Sequence, residues 1–294
     1  MRQVVQVVSG LRRHGWAQLF GLLFMAAVAA GCASLDEQQR TWIFQPTQGT
    51  WWGGELDDQA FQDVWIDYTP DSGWHAGKPV KLHGLWLAQS RPDAPVMLYL
   101  HGARWDVRGS ANRMRRMHDL GFSVLGIDYR GFGRSTAVLP SETMSYQDAR
   151  AAWDWLATQH PQAHRYIFGH SLGGAIAVNL AQEVNDASGL IVENTFTSIR
   201  DVVATMRWGW LPVGPLLTQR FEAGDRIARV KAPVLVVHGS EDQLIPPELG
   251  RALYERATAP KRFLLVEGGT HHNTNDLAQP QYRTAIAELF GPRL

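Results

Sequence analysis

Short unbroken apolar runs alternate with helix-forming segments over most of the chain, and this alternation limits the possible folds more than any other feature. The apolar runs lie at residues 96–100, 123–127, 166–168, 190–192, 234–237 and 263–266. Helical periodicity follows them at about 113–120, 146–158, 172–183, 248–257 and 281–289. Strands without polar interruptions need cover on both faces. The alternation therefore predicts an α/β fold with a mostly parallel central sheet and helices on both faces of that sheet.

Two segments of the chain depart from this pattern. Apolar and polar residues alternate at 64–68 and 82–87, which predicts antiparallel N-terminal strands at one edge of the sheet. Residues from about 195 to 230 form an irregular insertion, placed where a small cap would cover the carboxyl ends of the strands. Its large apolar side chains would either line an acyl pocket or pack on the domain: Trp208, Trp210, Leu211, Leu216 and Leu217.

Composition excludes several classes of function. The 294 residues carry 28 basic and 28 acidic side chains, so the chain has no general attraction to nucleic acid, and we expect no such partner. The single cysteine, Cys32, excludes internal disulfides, paired redox thiols and cysteine-rich zinc sites. The histidines form no metal-binding motif such as H-E-x-x-H, so we expect neither a metal nor another cofactor.

Residues 1–31 differ from the rest of the chain. They contain three arginines but no acid, and a mainly apolar run at 16–30 leads to small residues directly before Cys32. The run is shorter than the roughly 20 residues of a membrane-spanning helix, and the pattern resembles a bacterial lipoprotein signal peptide. That resemblance implies cleavage after Gly31, lipid such as palmitate on Cys32, and a location on the periplasmic side of a membrane. An uncleaved signal anchor is the alternative, and it would leave the rest of the chain on the same side.

The most specific chemical motif is Gly169-His170-Ser171-Leu172-Gly173, which follows an apolar run and precedes a helical segment. A G-x-S-x-G sequence in this position predicts a tight strand-to-helix turn that exposes the serine hydroxyl. The helix behind the turn would offer backbone N–H donors and its positive dipole end to an oxyanion. We therefore predict that Ser171 is a nucleophile; a plain turn with a capping serine is the alternative.

A serine nucleophile needs a histidine base and a carboxylate that orients the histidine. The predicted strand at 234–237 leads into an acidic loop, where we choose Asp242 over Glu241, although turn aspartates are common in loops. The next strand leads to His271 and His272. Either histidine would complete the chain order Ser, Asp, His. We prefer His271 as the base and keep His272 as the alternative.

Two backbone N–H groups should form an oxyanion hole for the tetrahedral intermediate. Leu172 follows the nucleophile, and the loop after the first parallel strand reads His101-Gly102-Ala103-Arg104-Trp105. We predict that the amides of Ala103 and Leu172 are the two donors. A simple tight strand exit at this loop is the alternative.

Together these motifs resemble those of the alpha/beta hydrolase superfamily of serine hydrolases, from about residue 42 to residue 289. The resemblance includes the segments Asp128-Tyr129-Arg130-Gly131-Phe132-Gly133-Arg134-Ser135, Glu193-Asn194-Thr195-Phe196 and His238-Gly239-Ser240-Glu241-Asp242. It implies the alpha/beta hydrolase fold with a small cap, in an esterase-like branch related to eukaryotic membrane-associated serine hydrolases, some of which remove acyl groups from proteins. Members of that branch commonly have Asn where Ala103 stands, and a backbone donor survives this change. We interpret the segment at 128–135 as a loop near the active site, with Asp128 and Arg130 in ion pairs.

The sequence thus predicts a signal peptide at 1–31, a tether at 32–41 and a hydrolase domain at 42–294. We expect a serine hydrolase that cleaves carboxylic esters or thioesters in a small-molecule or acylated substrate through an acyl-enzyme intermediate. The lipid on Cys32 would hold it at a membrane outside the cytoplasm. A serine peptidase and a catalytically idle binding lipoprotein of the same fold are the alternatives.

Overall fold

The computed structural model describes residues 31–46, 60–207 and 209–291. The strands are β1 (Gln62–Tyr68), β2 (Val80–Leu87), β3 (Val96–Leu100), β4 (Ser123–Ile127), β5 (Arg165–His170), β6 (Ala187–Glu193), β7 (Val234–Gly239) and β8 (Lys261–Val266). Residues 31–43 are helical and form α1. The helices after α1 are α2 (Ala111–Asp119), α3 (Glu142–Gln159), α4 (Leu172–Glu183), α5 (Ile199–Thr205), α6 (Ala223–Arg226), α7 (Pro247–Arg256), α8 (Thr274–Leu277) and α9 (Gln279–Phe290). Short 3₁₀ helices span Val107–Ser110, Gly214–Leu216 and Ile227–Arg229.

The strands form one sheet in the order β1-β2-β4-β3-β5-β6-β7-β8. β1 pairs antiparallel with β2, and β2 pairs antiparallel with β4, whereas the remaining pairs are parallel. The predicted α/β class, with a mostly parallel sheet and antiparallel N-terminal strands, is confirmed. The carboxyl ends of the parallel strands share one edge of the sheet, where the active sites of such folds form.

The central strands are buried on both faces, and this explains their unbroken apolar runs. In β3, Val96, Leu98 and Leu100 pack on one side with apolar residues of α3, α4 and α7. Met97 and Tyr99 pack on the other side with residues of α2 and α9. Because successive side chains of a strand point to opposite faces, each run supplies two cores at once.

The segment predicted as a tether is helical and lies against the cap. The Gln39 side chain donates to the carbonyl oxygen of Leu216 at 2.7 Å and accepts from the amide of Thr218 at 2.8 Å. The Gln219 side chain donates to Asp36 at 2.8 Å. These partners lie about 180 positions later in the chain, so no local sequence pattern indicates the contact.

The irregular segment predicted to form a cap follows β6, and we refer to it as the cap. Most of its large apolar side chains that the structure describes are exposed. Trp210, Leu211 and Leu216 are exposed, whereas Leu217 is half-buried. Trp208 lies outside the described residues, as does the predicted signal peptide apart from Gly31. No helix in the described ranges combines the length and apolar character needed to cross a bilayer.

The loop after β4 forms the predicted ion pairs. Arg130 donates from Nε to Asp148 at 2.8 Å, and both side chains are fully buried. Asp128 lies 3.2 Å from the ring of His83, which is buried in β2. The backbone turns sharply at Gly133, where φ is 46° and an added Cβ would overlap the Asp128 carboxylate. The loop is therefore a structural element that fastens the strands below the active-site edge.

Candidate active site

Ser171 stands in the sharp turn between β5 and α4. Its backbone has φ 55° and ψ −125°, a conformation that non-glycine residues rarely adopt and that is typical of a nucleophile elbow. The Ser171 amide donates to the carbonyl oxygen of Glu193 at 2.9 Å. The Thr195 hydroxyl donates to the carbonyl oxygen of Ser171 at 2.8 Å. The unusual backbone conformation is therefore held by β6 and the residues after it.

The glycines on both sides of Ser171 are required by space. An added Cβ at Gly169 would overlap the carbonyl oxygen of Gly173, and one at Gly173 would overlap that of Leu100. The start of α4 consequently packs directly on the backbones of β3 and β5. The G-x-S-x-G motif thus encodes this close approach as well as the exposed serine.

The structure brings the three predicted residues Ser171, His271 and Asp242 together. Nε2 of His271 lies 3.0 Å from Oγ of Ser171, and Nδ1 of His271 lies 2.8 Å from Oδ2 of Asp242. The second carboxylate oxygen of Asp242 accepts the backbone N–H groups of Leu244 and Ile245 at 3.0 and 2.9 Å. All three predicted residues are buried. This is the arrangement of a nucleophile, a base and a carboxylate that orients the base.

Asp242 is arranged to remain ionised. Burial acts to raise the pKa of Asp242, but hydrogen bonds from His238 and His271 outweigh burial and hold that pKa well below its ordinary value. An ionised carboxylate accepts the proton on Nδ1 of His271. Nε2 of His271 is then an acceptor for the hydroxyl proton of Ser171.

The two adjacent histidines occupy different environments. His271 is buried and makes the contacts to Ser171 and Asp242. His272 is exposed, and its ring lies 5.2 Å from the ring of His271 and 6.0 Å from that of Trp105. Burial, with smaller contributions from His271 and Arg113, lowers the pKa of His272. Of the two candidate bases, only His271 adjoins the serine and the aspartate within hydrogen-bonding distance in the described structure.

Two side chains that the sequence analysis missed hold the loop that carries His271. Nε2 of His170 donates to the carbonyl oxygen of His271 at 3.0 Å, and Arg113 donates to the carbonyl oxygen of His272 at 3.2 Å. Burial, reinforced by the charge of Arg113, lowers the pKa of His170 well below its ordinary value, so its ring is neutral at pH 7. These two hydrogen bonds thus fix the backbone carbonyl groups of His271 and His272.

Arg113 belongs to a buried ion pair that joins three elements. Its Nε lies 2.9 Å from Oε1 of Glu193, and the other oxygen of Glu193 accepts the hydroxyl proton of Tyr282. The three residues come from α2, β6 and α9, and the Glu193 side chain is fully buried. In the sequence, Glu193 stands out only as a single acidic residue at the end of an apolar strand. Its partners Arg113 and Tyr282 lie 80 and 89 positions away, so the sequence does not indicate them.

A pocket of about 120 Å³ opens beside Ser171. Its walls come mainly from the loop after β3, the 3₁₀ turn and start of α2, and the histidine loop: Gly102, Ala103, Arg104, Trp105, Gly109, Ser110, Arg113, His170, Ser171, Leu244, His271 and His272. The predicted oxyanion donors both adjoin Ser171, because Ala103 lines the pocket and Leu172 begins α4. As the first helical residue, Leu172 has an amide with no acceptor inside the helix. None of the cap residues that the structure describes lines this pocket.

The chain is similar to known hydrolases along most of its length. A family model described as "Serine aminopeptidase, S33" matches residues 91–223 and 216–278. An uncharacterized protein of Mycobacterium tuberculosis is 35% identical over 253 residues, which cover 85% of this chain and 86% of that protein. The lysophosphatidylserine lipase ABHD12 of Xenopus tropicalis is 32% identical over 189 residues, which cover 58% of this chain. The match covers 48% of that lipase, about half its length.

Solved esterase structures share the fold. An esterase of Pyrococcus furiosus matches with a TM-score of 0.66 at 18% identity, over 85% of this chain and 99% of that chain. The esterase Est1E of Butyrivibrio proteoclasticus matches with a TM-score of 0.61 at 19% identity, over 71% of this chain and 96% of that chain. At identities this low, the two structural matches show a shared fold and nothing more. The family model, in contrast, spans well over half of the sequence. The chain therefore belongs to the serine aminopeptidase S33 family of hydrolases, within the α/β hydrolase superfamily.

Proposed function

We propose that this protein is a serine hydrolase that cleaves carboxylic ester or thioester bonds through an acyl-enzyme intermediate. The observation that carries the proposal is the continuous contact from Asp242 through His271 to Ser171, with distances of 2.8 and 3.0 Å. A catalytically idle protein would have no need to keep a buried carboxylate, a base and a strained serine in this order. Family membership supports the hydrolase class independently of this geometry.

The proposed reaction has two halves. Oγ of Ser171 attacks the substrate carbonyl carbon while Nε2 of His271 takes the hydroxyl proton, and the amides of Ala103 and Leu172 stabilise the oxyanion. His271 then gives its proton to the leaving alcohol or thiol, and the acyl group stays on Ser171. In the second half His271 takes a proton from water while the water oxygen attacks the acyl carbon. The bond from that carbon to Oγ of Ser171 then breaks, His271 returns the proton to Oγ, and the acid leaves. Asp242 orients His271 throughout.

A peptidase is the second candidate, because the matching family model is described as a serine aminopeptidase. A carboxylate near the scissile bond is the strongest partner for the charged N-terminus of a peptide. Among the described residues that line the pocket there is no Asp or Glu, while two, Arg104 and Arg113, are cationic. The pocket therefore favours an ester or thioester over an aminopeptidase substrate.

Fluorophosphonate labelling tests the proposed nucleophile. We expect the wild-type protein to label and Ser171→Ala to remain unlabelled, because only an activated serine reacts with this probe. A wild type that does not label would favour the idle binding protein, and labelling of Ser171→Ala would place the reaction elsewhere. Turnover of p-nitrophenyl esters beside aminoacyl p-nitroanilides then separates esterase from peptidase.

We also propose that the protein is held at a membrane by lipid on Cys32, outside the cytoplasm. The resemblance of residues 1–31 to a lipoprotein signal supports this, as does the exposure of the Cys32 side chain. In bacterial cells that process lipoproteins, the wild type should sediment with membranes and Cys32→Ala should be released, whereas Ser34→Ala should sediment. Sedimentation of Cys32→Ala would favour an uncleaved anchor.

A further inference from the structure

Large apolar side chains lie exposed on α1 and on the cap beside it. The structure describes six of them: Leu35, Trp42, Met206, Trp210, Leu211 and Leu216. Trp210 is 74% exposed, Trp42 69% and Leu216 58%. Isolated exposed apolar residues are ordinary, but a contiguous group indicates a binding surface.

Gln39 joins the two parts of this group. Leu35, Gln39 and Trp42 are spaced four and three positions apart, so they share one face of α1. The buried Gln39 donates to the carbonyl oxygen of Leu216 in the cap at 2.7 Å. Backbone hydrogen bonds close the short turns between Met206 and Leu216 and keep the cap residues together. These contacts place α1 beside the cap, and we call the six exposed side chains together the apolar face.

We propose that the apolar face docks on a phospholipid bilayer, with the two tryptophans at the level of the headgroups. The position of the apolar face in the chain indicates that its binding partner is a bilayer. A mainly apolar run with basic residues before it ends directly before α1. Cys32 is exposed on α1, with Leu35 about 5 Å and Trp42 about 15 Å farther along the helix axis. Trp and Leu side chains suit the boundary between headgroups and acyl chains.

This inference rests on the proposed membrane attachment. Both possible attachments, a lipid on Cys32 and an uncleaved anchor, bring the bilayer to the start of α1. A short helix that is packed on the cap at Gln39 cannot swing freely away from the domain. The attachment therefore sets which side of the hydrolase faces the bilayer, and that side carries the apolar face.

The end of α1 that carries Trp42 leads directly to the loop that lines the Ser171 pocket. Gln45, three residues after Trp42, donates its amide to the carbonyl oxygen of Ala103 at 2.8 Å and pairs with Arg104. Arg104 is exposed and lines the pocket. A docked bilayer would thus present its own esters beside the nucleophile. The substrate class that fits this placement is an acyl ester that resides in the membrane, and the cap serves docking rather than acyl binding.

An environment-sensitive fluorophore tests the docking directly. The full chain, reconstituted in vesicles of phosphatidylcholine and phosphatidylglycerol, is labelled with NBD at Leu216→Cys or, as a matched control, at Leu277→Cys. The parent chain, whose one cysteine is Cys32, is taken through the same labelling, and its signal is subtracted from both. Leu277 is an exposed leucine in α8, outside the apolar face. We expect blue-shifted emission and quenching by brominated lipids of at least about twofold at position 216 only. Equal signals at both positions would overturn the proposal, as would a shift without vesicles that grows with protein concentration, which indicates a second copy.

Hydrolysis rates with a membrane-embedded and a soluble ester distinguish a failure of the docking proposal from a failure of the proposed function. Combined replacement Trp42→Ser, Trp210→Ser and Leu216→Ser should lower hydrolysis of p-nitrophenyl palmitate in vesicles by about tenfold. Hydrolysis of soluble p-nitrophenyl acetate should not change, and Leu277→Ser should affect neither substrate. Unchanged hydrolysis in vesicles would show that the face is not used. If the wild type hydrolyses no ester, the proposed function fails, while the fluorescence result still decides the docking.

Discussion

At the scale of single residues, the site depends on how two adjacent histidines are held. The ring of His271 lies between Ser171 and Asp242, whereas the ring of His272 points to the exposed pocket wall. Their carbonyl groups are bound by His170 and Arg113. These two hydrogen bonds hold the histidine loop in the orientation that places the ring of His271, and not that of His272, beside Ser171.

Replacement of each histidine tests this division. We expect His271→Asn to lower kcat by about 10⁴-fold or more, because the proton of Ser171 then has no acceptor. His272→Asn should lower kcat/KM by less than about tenfold, since its ring adjoins the pocket but not the serine. Steady-state kinetics on one soluble ester measures both. Equal losses in the two variants would contradict the assignment of the base.

The ion pair under the loop gives a second prediction at this scale. Arg113→Met leaves the fully buried carboxylate of Glu193 without its cation. The free energy of unfolding should fall by about 3–5 kcal/mol, as expected when one partner of a buried pair is removed. Chemical denaturation measures this change. Addition of Glu193→Gln to Arg113→Met should recover most of the loss, and failure to do so would show that packing dominates.

At the scale of elements, the approach of α4 to the sheet decides where the serine stands. Gly173 lies against the backbones of Leu100 and His101 at the end of β3. The same contact brings the start of α4 close to the loop that carries Ala103. The turn that carries Ser171 and the loop that carries Ala103 are therefore coupled through Gly173.

Gly173→Ala should separate these elements. An added Cβ would overlap the carbonyl oxygens of Leu100, the last residue of β3, and of His101, which follows it, so we expect a loss of about 3 kcal/mol or more in the free energy of unfolding. The matched control is Gly214→Ala in the cap, where the nearest atom to an added Cβ is in the Arg200 side chain at 3.1 Å. Thermal melting compares the two, and equal melting temperatures would show that the strand can shift.

At the scale of the whole molecule, the antiparallel edge is tied to the parallel sheet by a charged cluster. The buried ring of His83 in β2 lies 2.8 Å from Asp63 in β1 and 3.2 Å from Asp128 after β4. Burial acts to lower the pKa of His83, but the hydrogen bonds that its ring donates to the two aspartates outweigh burial and raise that pKa. Only the protonated ring donates to both carboxylates.

This cluster makes stability depend on pH. Because the pKa of His83 is higher in the folded than in the unfolded chain, its stabilisation is fully present below about pH 6.5 and is lost as pH rises through the raised pKa. We expect the melting temperature to fall over that range, and His83→Gln to reduce this dependence. A profile that is identical in the variant would contradict the role of His83.

Local pattern was sufficient to predict the strands of the sheet and the five longer helices after α1. The bounds of β3, β4 and α4 coincide with the apolar runs and the helical segment predicted for them, because burial on both faces requires an unbroken apolar strand. The motif around Ser171 was likewise sufficient to predict the turn between β5 and α4, because its glycines and serine are neighbours in sequence. Asp242 and the histidine pair followed from their places after successive parallel strands.

The choice between His271 and His272 depended on the tertiary structure, because one residue of offset changes the direction of a side chain but not the composition of its loop. The packing of α1 on the cap and the Arg113–Glu193–Tyr282 cluster join residues 80 to 183 positions apart. The exposure of Trp210 and Leu216 likewise depends on which neighbours the folded chain brings near. Periodicity records which face of an element is buried, whereas the partner of that face is decided only when distant elements meet.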